Sequence, residues 1–272
     1  MKNKQNLHTH TTYADGRNTP EELVREAIGR GFSGLGFSEH THMPFSPYPH
    51  QMTVEKMPEY RAEILRLKEQ YRGKLDIFCG LEWEFYSEVP TEGYDFLIGS
   101  VHYLSVSGGL FGFDHDLEKT RAYIRDHFGG DAMAFAKAYF ETVARLPERG
   151  NFDILGHFDL LTKTNEQGLF LNTADPAYLT MGFEAIHALR GKIPLFEVNT
   201  GAMARGYRTS PYPCTDFLKE FRACGYGAVM TSDCHDARYL DCGFELAEEL
   251  LRQAGFRSHW VLTDCGFREE AL

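Results

Sequence analysis

The chain has 272 residues, of which 43% are hydrophobic and 25% are charged, and its formal net charge is -11 at pH 7. These proportions are typical of a folded globular protein and exclude a disordered or fibrous chain. The acidic charge argues against nucleic acid as a partner, because affinity for phosphate backbones is built from clustered Lys and Arg, and it favours a small-molecule substrate.

Short apolar runs alternate with longer amphipathic segments along the chain. This alternation is typical of repeated β–α units around a parallel sheet. Seven runs are predicted to be strands, and His259–Thr263 is a candidate for an extra one. The seven predicted strands are Gln5–His8, Gly34–Ser38, Asp76–Glu82, Asp95–His102, Phe152–Gly156, Ile193–Asn199 and Gly227–Ser232.

Helices are predicted between these strands. The first starts at Thr19-Pro20-Glu21-Glu22, which offers an N-cap, a first-turn Pro and acidic residues that suit the helix dipole, and Gly31 ends it. Residues 41–51 contain three Pro and no periodicity, so they are predicted to be a loop and are a candidate lid near the site. No linker or charge block divides the chain, so residues 1–272 are predicted to form one α/β domain. The other predicted helices are Thr53–Gln70, Ala132–Leu146, Pro176–Arg190, Thr215–Cys224 and Phe244–Ala254.

No segment of the sequence indicates a membrane or a secretory route. The N-terminus has no apolar core of a signal peptide, and no stretch approaches the roughly 20 apolar residues that a membrane span needs. We therefore expect a cytoplasmic protein without a membrane partner. The six Cys form no CxxC pair and no dense framework, so reduced thiols are expected. No particular oligomeric state is predicted.

Imidazole and carboxylate side chains gather where the predicted strands end, which is the end at which barrel and open-sheet enzymes hold their active sites. A single His is more often structural than a ligand, but so many at strand ends are not explained in that way. Buried carboxylates need an ion pair or a metal, so the cluster predicts bound cations. The set is His8, His10, Asp15, His40, Glu82, His102, His157, Asp233 and His235, with Glu197 and Asn199 at the end of the sixth strand.

The spacing of these residues supports the same interpretation. In the H-x-H pair of His8 and His10 and the D-x-H pair of Asp233 and His235, residues two apart in extended chain point to the same side. Both members of a pair can therefore reach one cation. Cys234, between two candidate ligands, is expected to point away from the metals.

The motifs that carry these residues resemble those of the polymerase and histidinol phosphatase (PHP) family. In order they are H-T-H at 8–10, Asp15, S-E-H to His40, G-L-E to Glu82, S-V-H to His102, G-H-F-D from Gly156 and S-D-C-H to His235. The resemblance implies a distorted seven-stranded (β/α)7 barrel, similar to a TIM barrel, with a trinuclear metal centre. Softer features resemble the histidinol-phosphate phosphatase branch, although Asn199-Thr200-Gly201-Ala202 stands where that branch often has Asn-Thr-Ser-Gly.

Carried over to this chain, the resemblance implies three divalent metal ions. One would be held by His8, His10, Glu82 and Asp233, with Glu82 bridging to a second ion at His102 and His157. A third would be held by Asp15, His40 and His235. Glu84 is a rival for the bridging role. Zinc suits a site rich in imidazole, but manganese and iron also accept mixed N and O donors, and ligand type alone does not choose between them.

The expected reaction is metal-dependent hydrolysis of a phosphomonoester. The uncatalysed reaction is very slow. Metal ions accelerate it because they lower the pKa of bound water and neutralise phosphoryl charge. Arg205 is a candidate phosphate clamp, since its planar guanidinium matches two phosphoryl oxygens, and a solvated surface Arg is the alternative. Asp159, Glu197 and Asn199 are candidates either to orient ligand imidazoles or to protonate the leaving alcohol.

Several substrates and activities remain open at this point. The favoured reaction is hydrolysis of L-histidinol phosphate in histidine biosynthesis, as the branch resemblance implies. The nearest alternative is a PHP phosphoesterase acting on a nucleotide, phosphotyrosine or nucleic-acid ends. A barrel metalloenzyme that hydrolyses amides or lactones is a further alternative, and a metal-binding barrel without turnover is the non-enzymatic one.

Overall fold

The structure is a computed structural model and describes residues 3–43, 51–114 and 116–272. Its strands and helices alternate for most of the chain. The strands in these ranges are β1 (Gln5–Asn6), β2 (Gly34–His40), β3 (Asp76–Glu84), β4 (Phe96–Ser100), β5 (Tyr103–Val106), β6 (Gly109–Gly112), β7 (Ile154–Leu155), β8 (Leu195–Asn199), β9 (Gly227–Thr231), β10 (Ser258–Thr263) and β11 (Gly266–Ala271). The helices are α1 (Pro20–Gly29), α2 (Met57–Gln70), α3 (Leu117–Phe128), α4 (Ala132–Ala144), α5 (Pro176–Leu189), α6 (Gly201–Ala204), α7 (Thr215–Cys224) and α8 (Phe244–Gln253).

Seven parallel strands form the central sheet, in the order β1-β2-β3-β4-β7-β8-β9. The two edges of this sheet meet just beyond β1 and β9. There the His10 N–H donates to the Cys234 carbonyl at 2.8 Å and the Cys234 N–H donates to the His8 carbonyl at 3.0 Å, which makes a parallel bridge between Thr9 and Cys234. The sheet is therefore a nearly closed barrel with flanking helices, and the predicted (β/α)7 barrel is confirmed.

All seven predicted strands are present, with different ends. β1 is shorter than predicted because pairing with β2 involves only Gln5 and Asn6. β2 and β3 are each two residues longer, since their ladder continues to the pair His40–Glu82 and that of β3 and β4 to Glu84–Ser100. The candidate extra strand corresponds to β10, which pairs antiparallel with β11 outside the central sheet.

Helix α3 and the β5–β6 hairpin were not predicted, nor were the short helix α6 and strand β11. Both α3 and the hairpin have local signals. Helix α3 begins at the N-cap Asp116 and ends at Gly129, which adopts the left-handed conformation that favours Gly. The β5–β6 hairpin turns at Ser107 and Gly108, whose φ angles of 52° and 79° are those of a tight two-residue turn. The hairpin lies directly after His102 and contributes Tyr103 and Gly112 to the wall of the main cavity.

Helix starts follow the predicted signals where they were strongest. The Thr19 side chain accepts from the Glu22 N–H, and the Glu22 carboxylate accepts from the Thr19 N–H, with Pro20 in the first turn. The longest helices, α2 and α5, have 14 residues. Across the described ranges, the helices are too short or too polar to cross a membrane.

The barrel interior changes from apolar to polar along the strands. At the amino end, Phe78 of β3 packs in a cluster with Leu7, Phe96, Ile98, Ile154, Leu195 and Val229. Two residues further along β3, a Cβ on Gly80 would lie 2.5 Å from the Phe96 ring, so the crowded middle of the barrel leaves room only for Gly. Glu82 follows on the same face because alternate residues of a strand share a face. The alternation of side chains along β3 thus places the Glu82 carboxylate inside the barrel, where the strand ends.

Candidate metal centre

The side chains from the strand ends converge around the Glu82 carboxylate, which is 1% exposed. Its two oxygens lie close to five imidazoles that come from four different segments of the chain. Glu82 Oε2 lies 3.3 Å from His8 Nε2, 3.6 Å from His10 Nε2 and 2.6 Å from His40 Nδ1, and Glu82 Oε1 lies 3.4 Å from His102 Nε2 and 2.8 Å from His157 Nε2. Glu82 is therefore placed to bridge, as its context in the sequence indicated.

Asp233 and Asp15 complete the cluster on the side of the barrel closure. Asp233 Oδ1 lies 3.2 Å from His10 Nε2 and 3.4 Å from His235 Nδ1, and it lies 3.7 Å from His8 Nε2. Asp15 Oδ1 lies 3.3 Å from His235 Nε2 and 3.7 Å from His40 Nε2. The structure thus brings together all nine residues that the sequence singled out as ligands.

Three groups of these side chains have their ligand atoms within 4.8 Å of one another. They overlap, because His10 and His40 each belong to two groups. This sharing differs in detail from the sets implied by the resemblance, in which each His served one ion. The groups are His8, His10 and Asp233; His40, Glu82 and His102; and His10, Asp15, His40 and His235.

A second layer of carboxylates holds the imidazoles from behind. Glu197 Oε2 lies 2.8 Å from His8 Nδ1, and its Oε1 accepts the His157 N–H at 2.6 Å. Glu84 Oε2 lies 2.9 Å from His102 Nδ1 and accepts the His102 N–H at 2.8 Å. Glu84 therefore supports His102 rather than replacing Glu82 at the centre. Such carboxylate–imidazole pairs fix the ring orientation and tautomer of metal-bound His.

The donors fit divalent cations. In the described residues, His8 Nε2, both ring nitrogens of His10 and Glu82 Oε2 are buried and make no hydrogen bond of normal geometry, although they face one another. Five carboxylates, Asp15, Glu82, Glu84, Glu197 and Asp233, surround the imidazoles, while Arg205 pairs with one of them. Buried charge of one sign needs a counter-charge, and these N and O donors suit zinc, manganese or iron.

Electrostatics in the cluster give its central groups different protonation states. Burial raises the pKa of Glu82, but the imidazoles of His40 and His8 outweigh burial and hold the pKa well below its usual range. Burial and the neighbouring His40 and His235 lower the pKa of His10 to about 3, so its ring is neutral near pH 7. Burial opposes but does not outweigh the Glu82 and Asp15 carboxylates, which raise the pKa of His40 to about 10. Only neutral imidazoles ligate metals, so binding of a metal would release the proton of His40.

The cluster forms the floor of a cavity of about 820 Å³. Its wall includes both cations and anions outside the ligand set. Lys163 lies 2.6 Å from Asp114, and both are only partly exposed, whereas Lys119 and Arg238 lie near the rim with exposed side chains. Thr41 and Gln51, at the ends of the predicted Pro-rich loop, also line the cavity. Residues 44–50 of that loop, with His50, lie outside the described residues, as does His115.

Arg205 lies in the cavity wall directly after the short helix α6. Its Nη2 donates to Asp233 Oδ2 at 2.9 Å, and its Nη1 donates to the Asp233 carbonyl at 3.3 Å. The Gly201 that departs from the branch pattern explains how α6 approaches this closely. A Cβ on Gly201 would lie 2.8 Å from Asp233 Oδ2. The predicted clamp is therefore close to the metal ligands and 28% exposed to the cavity.

Asp159 takes a different position from the other candidate catalytic residues. It is 1% exposed, accepts the Cys214 N–H at 3.1 Å and does not belong to the cavity wall. Burial raises the pKa of Asp159, and the nearby Arg208 opposes this shift. Both roles predicted for Asp159, orientation of a ligand imidazole and protonation of the leaving alcohol, stay predictions, and the observed hydrogen bond joins it to Cys214.

Sequence reasoning overlooked Glu39, Asp114 and Lys163. Glu39 accepts the Thr11 N–H at 2.9 Å, its Oε2 lies 4.0 Å from His10 Nδ1, and burial raises the pKa of its carboxyl to about 8. A charged residue inside an otherwise uncharged buried strand was the available signal for Glu39. Asp114 lies in the stretch 112–114, which resembles the histidinol-phosphate phosphatase branch, but its pairing with Lys163 forms only in the folded barrel.

A model of the PHP domain family matches residues 6–186 of this chain. Relatives with related names cover nearly its whole length. A "probable histidinol-phosphatase" from Deinococcus radiodurans is 30% identical over 263 residues, which is 92% of this chain and 94% of the relative. The histidinol-phosphatase of Lactococcus lactis is 26% identical and covers 97% of this chain and 96% of the relative.

Solved structures share the fold. The crystal structure of the Lactococcus lactis histidinol phosphate phosphatase, complexed with zinc, L-histidinol and phosphate, matches with a TM-score of 0.72 at 22% identity and covers 97% of this chain and 98% of that chain. A structure from Listeria monocytogenes matches with a TM-score of 0.74 at 21% identity, covering 89% of this chain and 99% of that one. The fold described above is therefore also found in two experimentally determined structures.

The position of Glu197 predicts a loss of metal affinity when its charge is removed. We expect Glu197→Gln to bind zinc about 10- to 100-fold more weakly than wild type, because the amide cannot orient the His8 ring as a carboxylate does. Competition with a chromophoric chelator measures the affinity. The matched control is Glu118→Gln, whose carboxylate is 81% exposed. Equal zinc affinity of wild type and Glu197→Gln would show that Glu197 does not support the centre.

Proposed function

Since the chain belongs to the PHP domain family, we propose that it is a metal-dependent phosphatase that hydrolyses L-histidinol phosphate to L-histidinol and phosphate, a reaction of histidine biosynthesis. Residues 1–272 would act as one barrel domain in this reaction. The observation that carries the proposal is the cluster around Glu82, which lies at the floor of a cavity with Arg205 in its wall. The names of relatives that span nearly the whole chain support the same substrate.

We propose that the centre holds three divalent cations, with zinc as the first choice. The three overlapping donor groups support that number, and the excess of carboxylates over guanidinium supports more than one ion. When bound, such cations supply Lewis acidity, which lowers the pKa of water and withdraws charge from phosphoryl oxygens. His8, His10, Glu82 and Asp233 would hold one ion; His102 and His157 would share Glu82 with a second, and a third would lie at Asp15, His40 and His235.

The protein's own residues contribute binding and orientation. Arg205 keeps a guanidinium beside the metal ligands, and a planar donor fork suits two oxygens of one phosphoryl group. Its hydrogen bonds to Asp233 hold the guanidinium in place before substrate arrives, so little conformational freedom is lost when the phosphoryl group binds. Glu197 and Glu84 keep the ligand imidazoles in fixed tautomers, and Asp159 secures the segment at Cys214.

The outer wall offers a means of recognising the alcohol part of the substrate. Histidinol phosphate carries an ammonium group, and Asp114 is a carboxylate in the cavity wall. Lys163 and His102 lower the pKa of Asp114 to about 2 in spite of burial, so Asp114 is ionised near neutral pH. We propose that Asp114 attracts the substrate ammonium while Lys163 faces the phosphate side.

The closest alternative is another phosphomonoester, such as a nucleotide or phosphotyrosine. We expect protein reconstituted with zinc or manganese to hydrolyse histidinol phosphate with a kcat/KM on the order of 100-fold above that for nucleotides and p-nitrophenyl phosphate, because only the first carries the ammonium. Release of inorganic phosphate measures all three reactions. Activity that survives a chelator, or a preference for nucleotides, contradicts this proposal, and turnover of an amide or lactone alone points to the other reaction class.

Removal of the two aligned N–H donors of Arg205 should slow the hydrolysis of phosphomonoesters. We expect Arg205→Lys to lower kcat/KM on phosphomonoesters on the order of 100-fold and to weaken inhibition by inorganic phosphate, because an ammonium keeps the charge but not the two aligned donors. Arg252→Lys is the matched control, because the Arg252 side chain on α8 is 51% exposed. Metal content is measured in parallel, since Arg205 also contacts Asp233. Unchanged phosphate inhibition would remove Arg205 from the substrate site.

Asp114 should affect one substrate more than another. We expect Asp114→Asn to raise KM for histidinol phosphate about tenfold, the loss of one hydrogen bond to a charged group, while KM for p-nitrophenyl phosphate stays within about twofold. The matched control is Asp116→Asn, because Asp116 is an exposed helix cap for which Asn substitutes well. An equal rise of KM for both substrates would contradict ammonium recognition by Asp114.

A further inference from the structure

A second group of metal-type ligands lies outside the catalytic cavity, between helices α5 and α7. His187 of α5 places Nε2 2.6 Å from Glu220 Oε1, and Cys224 Sγ lies 3.6 Å from the same oxygen. Glu220 and Cys224 are one turn apart on α7, so both side chains face α5 together. One ligand atom of each residue lies within 4.8 Å of the other two. None of the three lines the catalytic cavity.

We propose that His187, Glu220 and Cys224 form an accessory site for zinc or a similar soft divalent cation. The donors are one imidazole nitrogen, one carboxylate oxygen and one thiolate sulfur, a set that zinc accepts. Binding would break the S–H bond of Cys224, release that proton to solvent and form a bond between sulfur and the metal. Three protein ligands leave the fourth tetrahedral position for water.

The spacing of the donors suits this ion. Zinc bonds of about 2.0 Å to nitrogen and about 2.3 Å to sulfur place neighbouring tetrahedral ligand atoms roughly 3.3–3.6 Å apart. The sulfur–oxygen distance already has this value, and the nitrogen–oxygen distance would need to open by less than about 1 Å. His187 has a side chain that is 58% exposed, so this adjustment is a small motion of a surface side chain.

The surroundings of Cys224 also favour a metal. Cys224 helps to line a small, mainly apolar cavity of about 320 Å³ with Ile193, Leu195 and Trp260. Partial burial and the Glu220 carboxylate raise the pKa of the Cys224 thiol, and Arg190 opposes this shift. A divalent cation would offset the repulsion between thiolate and carboxylate. The site would also tie α5 to α7, which otherwise meet through apolar packing and the His187–Glu220 pair.

The simpler interpretation is an exposed ion pair between His187 and Glu220 beside a thiol that binds no metal. Cobalt separates the two interpretations. The catalytic donors are nitrogen and oxygen only, whereas a thiolate bound to cobalt gives charge-transfer absorption in the near ultraviolet. We therefore expect the full-length protein, first loaded at the catalytic centre, to develop this absorption on further addition of cobalt, and zinc to abolish it.

Three variants make the test specific. Cys224→Ser should lose the absorption and bind one cobalt fewer, and His187→Gln should weaken cobalt binding at this site at least tenfold while the phosphatase activity of both stays within about twofold. Cys265→Ser, at an exposed thiol in the β10–β11 turn, is the matched control and should keep the absorption. Absorption that persists in Cys224→Ser, or that never appears in wild type, would overturn the proposal. Neither result bears on the catalytic function, since no residue of this site contacts that centre.

Discussion

The placement of one carboxylate among five imidazoles in a closed barrel is the constraint on which the molecule depends. Glu82 can lie there, 1% exposed, only because alternate residues of β3 point inward and the ring of Phe96 fills the space beneath. An isolated buried carboxylate is costly, and every neighbouring group reduces that cost by contributing a ligand, a hydrogen bond or a charge. Glu197 and Glu84 extend the same principle outward, because each one fixes an imidazole that in turn faces Glu82.

The barrel and the proposed phosphate site meet at Asp233. Its carboxylate joins His10 and His235 on one side and receives Arg205 on the other, with Gly201 leaving the space for that approach. The centre and the clamp are thus parts of one network. Asp114 and Lys163 lie in the cavity wall outside the ligand set, where we propose that Asp114 recognises the alcohol part of the substrate.

Much of this arrangement could be predicted from the sequence. Strand-end positions and i, i+2 spacing identified the nine clustered residues, because the direction of a side chain in a strand follows from parity alone. The carboxylates that contact these imidazoles were harder to predict. Glu197 lies far from His8 in the sequence, and only closure of the barrel brings the two side chains together. Conversely, closeness in sequence does not guarantee a place in the site: Asp159 is two residues from His157 but does not line the cavity. Helix α3 was missed despite the cap at Asp116, because no strand or motif drew attention to that stretch.

The closure of the barrel between Thr9 and Cys234 has a consequence for how the protein is made. Strand β1 pairs with β2 through two residues only, and its other neighbour lies near the far end of the chain. At a translation rate of about 5–20 residues per second, the ribosome delivers that neighbour on the order of ten seconds after His8 and His10 emerge. Until then the nascent chain carries an incomplete set of ligands. Closure of the fold and competence to accept metal therefore coincide in one late step of biosynthesis.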